Sequence, residues 1–409
     1  MSAGTLTVHD ALLKEFYMAG GLVKQFYEKC PLLDRVERIT SQDDFDGRRI
    51  VMGVHTARAE SVGARDENVP LPESGTPDTD NMYVTMAYLY GKIKLTGQAM
   101  QFTSTAKGAF VKAVDLGIKD IKESMRFDIA RQITFGDGTG ALAQTNGTGT
   151  AATALIVDNP GVRHIRAGMK LDIYTAKTGG TQEVNSVTVS SVTTSTNTVT
   201  LATAQTWGNN SWVFREDARG KEMMGLAGIV DNATLLSSIQ GKTRSTDDWA
   251  NANALANSGT NRAMTLRLID DAYYESMNNG IGEYPTGIYS NIKLAQTYAD
   301  LCRTDRRYAA DIQTLDGGWK GIKHTGMDGN CSWFVDPMCR DNSIYFVHEP
   351  DLVQYVPVQF HWLGEEMGGQ IWNKAQDGTD AYEARLKQYS NLAAKRFQSH
   401  TLLGDVTQT

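Results

Sequence analysis

Residues 105–141 read TAKGAFVKAVDLGIKDIKESMRFDIARQITFGDGTGA, and the last eight, TFGDGTGA, carry the G-x-G-x-x-G/A spacing of a dinucleotide-binding loop. Such a loop needs a strand before it and a helix after it, so that the helix N-terminus faces the pyrophosphate. Here the order is reversed. Val111, Val114, Ile118, Ile121, Met125, Ile129 and Ile133 recur at spacings of three and four, which predicts one amphipathic helix over residues 105–135. At ~1.5 Å per residue it would run roughly 45 Å. Lys112, Lys119, Lys122 and Glu123 fall off the apolar stripe and can face solvent. Gly136 then reads as the helix stop, and GDGTG as a cap and loop in which glycine supplies left-handed backbone. A second phosphate candidate, Gly241-Lys242-Thr243, ends like a P-loop but has Leu236 where that motif requires glycine.

The chain around this helix has 409 residues, enough for two or three domains and a sizeable core. Its net charge of −7 argues against affinity built on neutralising nucleic-acid phosphates. The first residues, MSAGTLTVHDALLKEFYMAGG, contain no basic leader followed by an apolar run, and no window approaches the ~18 apolar residues of a membrane span. The expectation is a soluble, unsecreted protein. Cys30, Cys302, Cys331 and Cys339 do not form a disulfide framework and suit a reducing compartment.

Upstream of the helix, RRIVMGVHT (residues 48–56) and MYVTMAYLYGKIKLTG (residues 82–97) have the β-branched, aromatic and alternating character of strands. Between them lie the 25 residues 57–81, with Pro70, Pro72 and Pro77, many charges, and only scattered apolar side chains. This stretch cannot build a core of its own. Unstructured loops of that length are uncommon in compact domains unless they are functional or disordered, so it reads either as a plain surface loop or as the end of a two-stranded arm reaching toward another chain. Arg58 and Arg65 stand against Glu60, Asp66, Glu67, Glu73, Asp78 and Asp80, which makes the arm acidic. Basic partners are expected on the surface that receives it, and the long helix offers Lys112, Lys119 and Lys122.

Downstream, TQEVNSVTVSSVTTSTNTVTLATA (residues 181–204) is mostly Thr, Ser and Val, with Glu183 its only charge. With GMKLDIYTAK before it and NNSWVFRED after it, it predicts a small antiparallel β unit over residues 154–217, turning at 178–180 and 194–197. Helices are expected at residues 265–277 and 291–301. Near the C-terminus, YEARLKQYSNLAAKRFQ has helical propensity, yet Ala384, Leu386 and Gln388 alternate with Arg385, Lys387 and Tyr389. A strand to about Leu392 is the expectation.

Catalytic chemistry is sparse. The histidines are scattered, without H-E-x-x-H or a helical i, i+4 pair, and Cys331 and Cys339 between His324 and His348 lack zinc-ligand spacing. The adjacent acids Asp270-Asp271 and Glu365-Glu366 point in different directions in any regular element. No G-x-S-x-G occurs. The pattern points to a non-enzyme with no cofactor and no metal.

The order of these elements resembles the major capsid proteins of tailed bacteriophages. The most specific similarity is NCSWFVDPMCRDNSIYFVHEPDLVQYVP (residues 330–357), a strand, an Asp-Pro bend and a second strand, leading to the aromatic FHWLGEEMGGQIW; MGLAGIVDN is similar to the family's entry into its central domain. The resemblance implies an α+β phage capsid (Johnson) fold. In its terms residues 1–47 form an N-terminal arm, 48–97 an extended E-loop β-arm lying over a neighbouring subunit, and 98–153 a peripheral P-domain with the long spine helix. Residues 154–217 form an inserted small β domain, 218–335 a central A-domain, and 336–409 a returning P-domain segment. The N-terminus leaves no room for a cleaved scaffolding extension, which implies a separate scaffolding protein.

The same resemblance implies a coat subunit of the virion, assembled in the host cytoplasm as hexamers and pentamers of an icosahedral shell. Portal and decoration proteins would be further partners, DNA would be near only by non-specific proximity, and no membrane is involved. The family's Lys–Asn crosslinking chemistry has no motif that can be placed in this sequence. Two other classes compete: a host-binding or adhesive surface protein, suggested by the hydroxyl-rich β unit, and a nucleotide-binding enzyme, suggested by TFGDGTGA.

Overall fold

The computed structural model describes residues 5–6, 30–40, 45–46, 49–98, 107–158, 160–279, 282–304, 314–315, 319–320, 322–326, 329–364, 371–375 and 378–408. The helix-like segment expected within residues 9–29 lies outside them.

The long helix is Lys107–Phe135, 29 residues. It lies on one face of a sheet whose strand order is Thr5–Leu6, Ala87–Thr96, Ala381–Ala394, Leu352–Trp362 and Glu37–Ile39. Ile93, Met125, Ala384 and Leu386 are buried together between helix and sheet. Gly91 makes this approach possible, because a Cβ there would come within 2.8 Å of both Ile121 and Met125. The C-terminal segment is therefore a strand, Ala381–Ala394, paired with Ala87–Thr96 on one side and Leu352–Trp362 on the other. Central placement in a sheet overrides the helical propensity of its Ala, Leu, Glu and Lys residues.

At its C-terminal end the helix is enclosed on all sides, with every residue from 128 to 135 buried. Gly136 ends it, but not by left-handed backbone; the positive φ values belong to Gly138 (79°) and Gly140 (82°). Gly136 is required by crowding, since a Cβ would collide with the Gln132 carbonyl, and one on Gly225 would strike the same oxygen.

The arm is a hairpin of Arg49–Ala57 with Asp78–Thr85, in register from Arg49 opposite Thr85 to Ala57 opposite Asp78. Ile50 of the outgoing strand and Met82 and Val84 of the returning strand are buried, and Met52 and Val54 pack against the core, so the hairpin leaves the body beyond Val54. Residues 58–77 form no strand and are nearly all exposed.

The inserted unit is larger than residues 154–217. Its six strands run in the order Ala141–Gln144, Trp212–Arg215, Lys170–Tyr174, Gln182–Thr193, Thr198–Trp207 and Gly149–Ile156. The first strands precede residue 154; their Ala, Gly and Thr content hides them from a hydrophobic-pattern reading. The two outer strands meet through the Thr145–Val157 bridge and the bonds Asn146 N–H to Ile156 O (2.9 Å) and Asp158 N–H to Gln144 O (2.8 Å). The sheet thus closes into a barrel without a free edge, around Leu142, Leu155, Leu171, Ile173, Val199 and Val213. The turns fall at 178–180 and 194–197, where Gly179, Gly180 and Asn197 have positive φ.

The central sheet runs Asn253–Leu255, Thr401–Leu403, Ile344–Val347, Gly287–Ser290, Gly329–Val335 and Ile322–Gly326. Helices Leu266–Asn279 and Ile292–Thr304 pack on it through Ile269, Tyr273, Leu294 and Tyr298. A division at 335/336 cuts through this sheet, because Ile344–Val347 and Thr401–Leu403 belong to it. The Asp-Pro bend is fixed by Asp336, which accepts from Met338 N–H (2.8 Å) and from the Thr134 hydroxyl (3.1 Å) at the helix end. Cys30, Cys331 and Cys339 are buried free thiols; burial pushes the first two up to about 12.

Candidate assembly surface

The GDGTG loop does enclose an anion, and that anion is its own Asp137. The carboxylate accepts from Thr139 N–H (3.1 Å), Lys177 (2.8 Å) and Arg340 (3.0 Å). Burial alone would raise its pKa, but Arg340 and Lys177 outweigh this and hold it well below the usual carboxylate range. The loop follows a helix and precedes a strand, the reverse of a dinucleotide site.

Neighbouring ion pairs weld the barrel to the body. Asp128 accepts from Arg131 (3.1 Å), Gln132 (2.9 Å) and Arg215 (3.2 Å), while Arg131 also donates to Glu222 (2.6 Å). Burial opposes ionisation of Asp128, yet Arg131 and Arg215 keep it below its ordinary value. Arg163 reaches from the barrel to both oxygens of Asp341 (2.9 and 3.0 Å). The barrel is therefore a fixed part of the subunit surface rather than a tethered appendage.

The arm is built differently. Asp66, Glu67, Glu73 and Asp78 are exposed, as are Arg58, Glu60 and Arg65. Arg65 donates to the carbonyls of Pro70 and Ala64 (each 3.2 Å), so it shapes the tip locally. Asp80 departs from the expected outward role: it pairs with Lys242 of the same chain, and that bond lowers its pKa. Of the helix lysines, Lys119 and Lys122 are exposed on the side away from the sheet, and the Lys112 side chain lies outside the described residues.

Lys242 belongs to a feature that sequence reasoning dismissed. Gly241-Lys242-Thr243 is half of the tight hairpin Ser238–Ile239 with Lys242–Thr243, whose two turn residues, Gln240 and Gly241, have φ of 47° and 79°. Two positive φ values match the twist of a hairpin. The hairpin grips the arm at its root: Tyr83 N–H donates to Gln240 O (2.8 Å), and Arg49 stacks on the Tyr83 ring at 3.9 Å. A Cβ on Gly241 would sit 2.7 Å from Tyr83. The only local signal was a Gln-Gly pair between short β-prone residues, weaker than Asn-Gly.

No protein-family model matches the sequence, and no curated protein matches it. Solved structures do. The chain is similar to one described as the cyanophage A-1(L) capsid asymmetric unit, at 14% identity and a TM-score of 0.57 over 96% of both chains. It is also similar to the capsid of an empty GTA particle, at 10% identity and a TM-score of 0.52 over 98% of both chains. The native GTA particle capsid gives 10% identity and 0.51 over 97% of both. The chain has the α+β fold of these capsid subunits, from end to end.

Proposed function

We propose that the protein is the major capsid protein of a tailed bacteriophage, self-assembling as hexamers and pentamers into the icosahedral head shell that encloses the genome. The observation that carries this reading is the arm. A 20-residue tip, residues 58–77, projects from the body without a core, on a chain whose whole length follows capsid subunits. A segment of this kind gains order from a neighbour, through interfaces of the large obligate class. The acidic tip lands on basic side chains of the next subunit, for which Lys119 and Lys122 of the spine helix are candidates, with Lys112 on the same helix. A separate scaffolding protein sets the curvature; portal and decoration proteins complete a virion put together in the host cytoplasm. The subunit is a structural protein and not an enzyme.

Sedimentation velocity and negative-stain microscopy of the purified chain, alone and co-expressed with a scaffold, test the proposal. Rings or shells are expected. Monomer under every condition would remove it. Reversing Asp66 and Glu67 to Lys should depress shell yield while leaving the melting temperature unchanged.

A further inference from the structure

The barrel, the end of the spine helix and the bend after the Gly329–Val335 strand meet around a cavity of about 170 Å³. Phe135, Pro160, Trp212 and Leu235 give it apolar walls, and Lys177 and Arg340 line it with them. Each cation lies over one of the aromatic rings, Lys177 over Trp212 at 4.2 Å and Arg340 over Phe135 at 5.1 Å. A cavity of ~150 Å³ holds one benzene ring, whereas sites for larger organic ligands start at roughly 300 Å³. The size therefore admits a single-ring molecule and excludes a nucleotide.

The charges around the cavity leave room for an anion. Lys177 and Arg340 both bond to Asp137 Oδ2, and the other Asp137 oxygen accepts from Thr139. Asp341, also on the wall, is taken by Arg163 (2.9 and 3.0 Å) and by Asn291 (2.9 Å). Asp231, whose charge also acts on Lys177, is paired with Arg244. Lys177, Arg340 and Arg163 against Asp137 and Asp341 leave one positive charge in excess. Burial lowers the Lys177 pKa even with Asp137 beside it, so its ammonium is under-compensated. Donors remain as well. Asp137 uses one of the ammonium hydrogens, and among the described residues Arg340 Nη1 has no partner, since its bonds run from Nε to the Phe135 carbonyl (3.0 Å) and from Nη2 to Asp137 (3.0 Å). We infer that this cavity binds a small aromatic carboxylate, with its ring against Trp212, Pro160 and Leu235 and its charge on Lys177 and Arg340. Such a ligand touches the barrel, the helix end and the body at once, so it fastens the junction between them and stabilises the folded subunit by mass action.

Calorimetry and thermal melts of the purified chain with benzoate as the probe test this. Acetate supplies the charge without the ring, benzyl alcohol the ring without the charge, and ionic strength is held constant. Benzoate is expected to bind once per chain with a Kd of about 1 mM and to raise Tm saturably, while neither control does so. Ala141→Leu fills the cavity from the barrel side and Leu235→Trp from the body side, so a folded variant of either kind should lose the benzoate response. An equal rise from acetate or from benzyl alcohol would overturn the inference. So would a benzoate response that survives in a folded cavity variant, or the lack of any saturable response in the unaltered chain.

Discussion

The barrel and the arm both project from the spine of the chain, and they solve opposite problems. The barrel closes its sheet on itself, fills the interior with buried Val, Leu and Ile, and anchors to the helix through Arg215, to the loop after it through Lys177, and to Asp341 through Arg163. Its outward Thr and Ser residues form a solvated surface, and its two outer strands bond to each other. The arm has two strands, three buried side chains near its root, Ile50, Met82 and Val84, and its most exposed apolar residues at its far end. Beyond that root the two strands have no packed face, and such a hairpin is marginal in water. The barrel is accordingly a finished element, whereas the arm leaves its apolar tip side chains in solvent.

Core truncation should separate the two most widely. Leu171 is fully buried in the barrel, and Leu171→Ala should cost about 2–5 kcal/mol, read as a lower urea midpoint. Leu71→Ala, at the arm tip, should leave the midpoint of the free subunit unchanged and reduce assembly. Equal losses in the free subunit would show that the tip packs on its own body.

Acid should attack the barrel junction and the body but not the arm. His400 is buried, accepts the His348 N–H at 3.2 Å, and faces Asp351, His348 and Arg396; burial lowers its pKa to about 4. His164 packs on Phe135 at the barrel junction, and burial, with Arg131 and Arg163 nearby, places it well below its ordinary value. A folded pKa below the unfolded ~6.5 means that stability is full above pH ~6.5 and falls as the unfolded chain takes up the proton. For His400 the loss should reach about 3 kcal/mol by pH ~4. Urea titrations between pH 7 and 4 measure it, and His400→Gln should flatten the curve. The arm's only histidine, His55, is exposed, so trypsin cleavage at its tip should not track this transition.

Proteolysis gives a smaller but sharper contrast. Trypsin should cut at Arg58 and Arg65 in the free subunit while Arg163, Lys177 and Arg215 resist, and assembly should protect the first two. Identical cleavage of free and assembled protein would undo the contrast on its arm side. The smallest effect belongs to the root of the arm. Asp80→Asn removes the charge facing Lys242 and should accelerate cleavage at Arg58 with no measurable change in melting temperature.

The spine helix, both arm strands, the A-domain helices and the C-terminal strand were legible in the sequence, because each obeys a local rule: 3.6-residue periodicity, β-branched alternation or inside–outside register. The capsid fold followed from their order. The acidic tip was legible, since it is written in consecutive residues. The cavity bordered by Phe135, Lys177 and Arg340 was not, because it joins residues as far as 205 positions apart, and only folding shows which side chains share its walls.

Consecutive residues were enough to establish that the charged stretch after residue 57 has no core of its own, that a helix of about 30 residues ends at glycine, and that the hydroxyl-rich segment is β. The folded chain was needed to show that the barrel starts at Ala141 and closes, that Asp137 occupies the loop that resembled a phosphate cradle, and that Lys242 grips Asp80. The physical reason is common to all three. Periodicity and propensity are properties of neighbours along the chain, whereas closure of a sheet, neutralisation of a buried carboxylate and the root of an arm depend on partners that folding alone brings within hydrogen-bond distance.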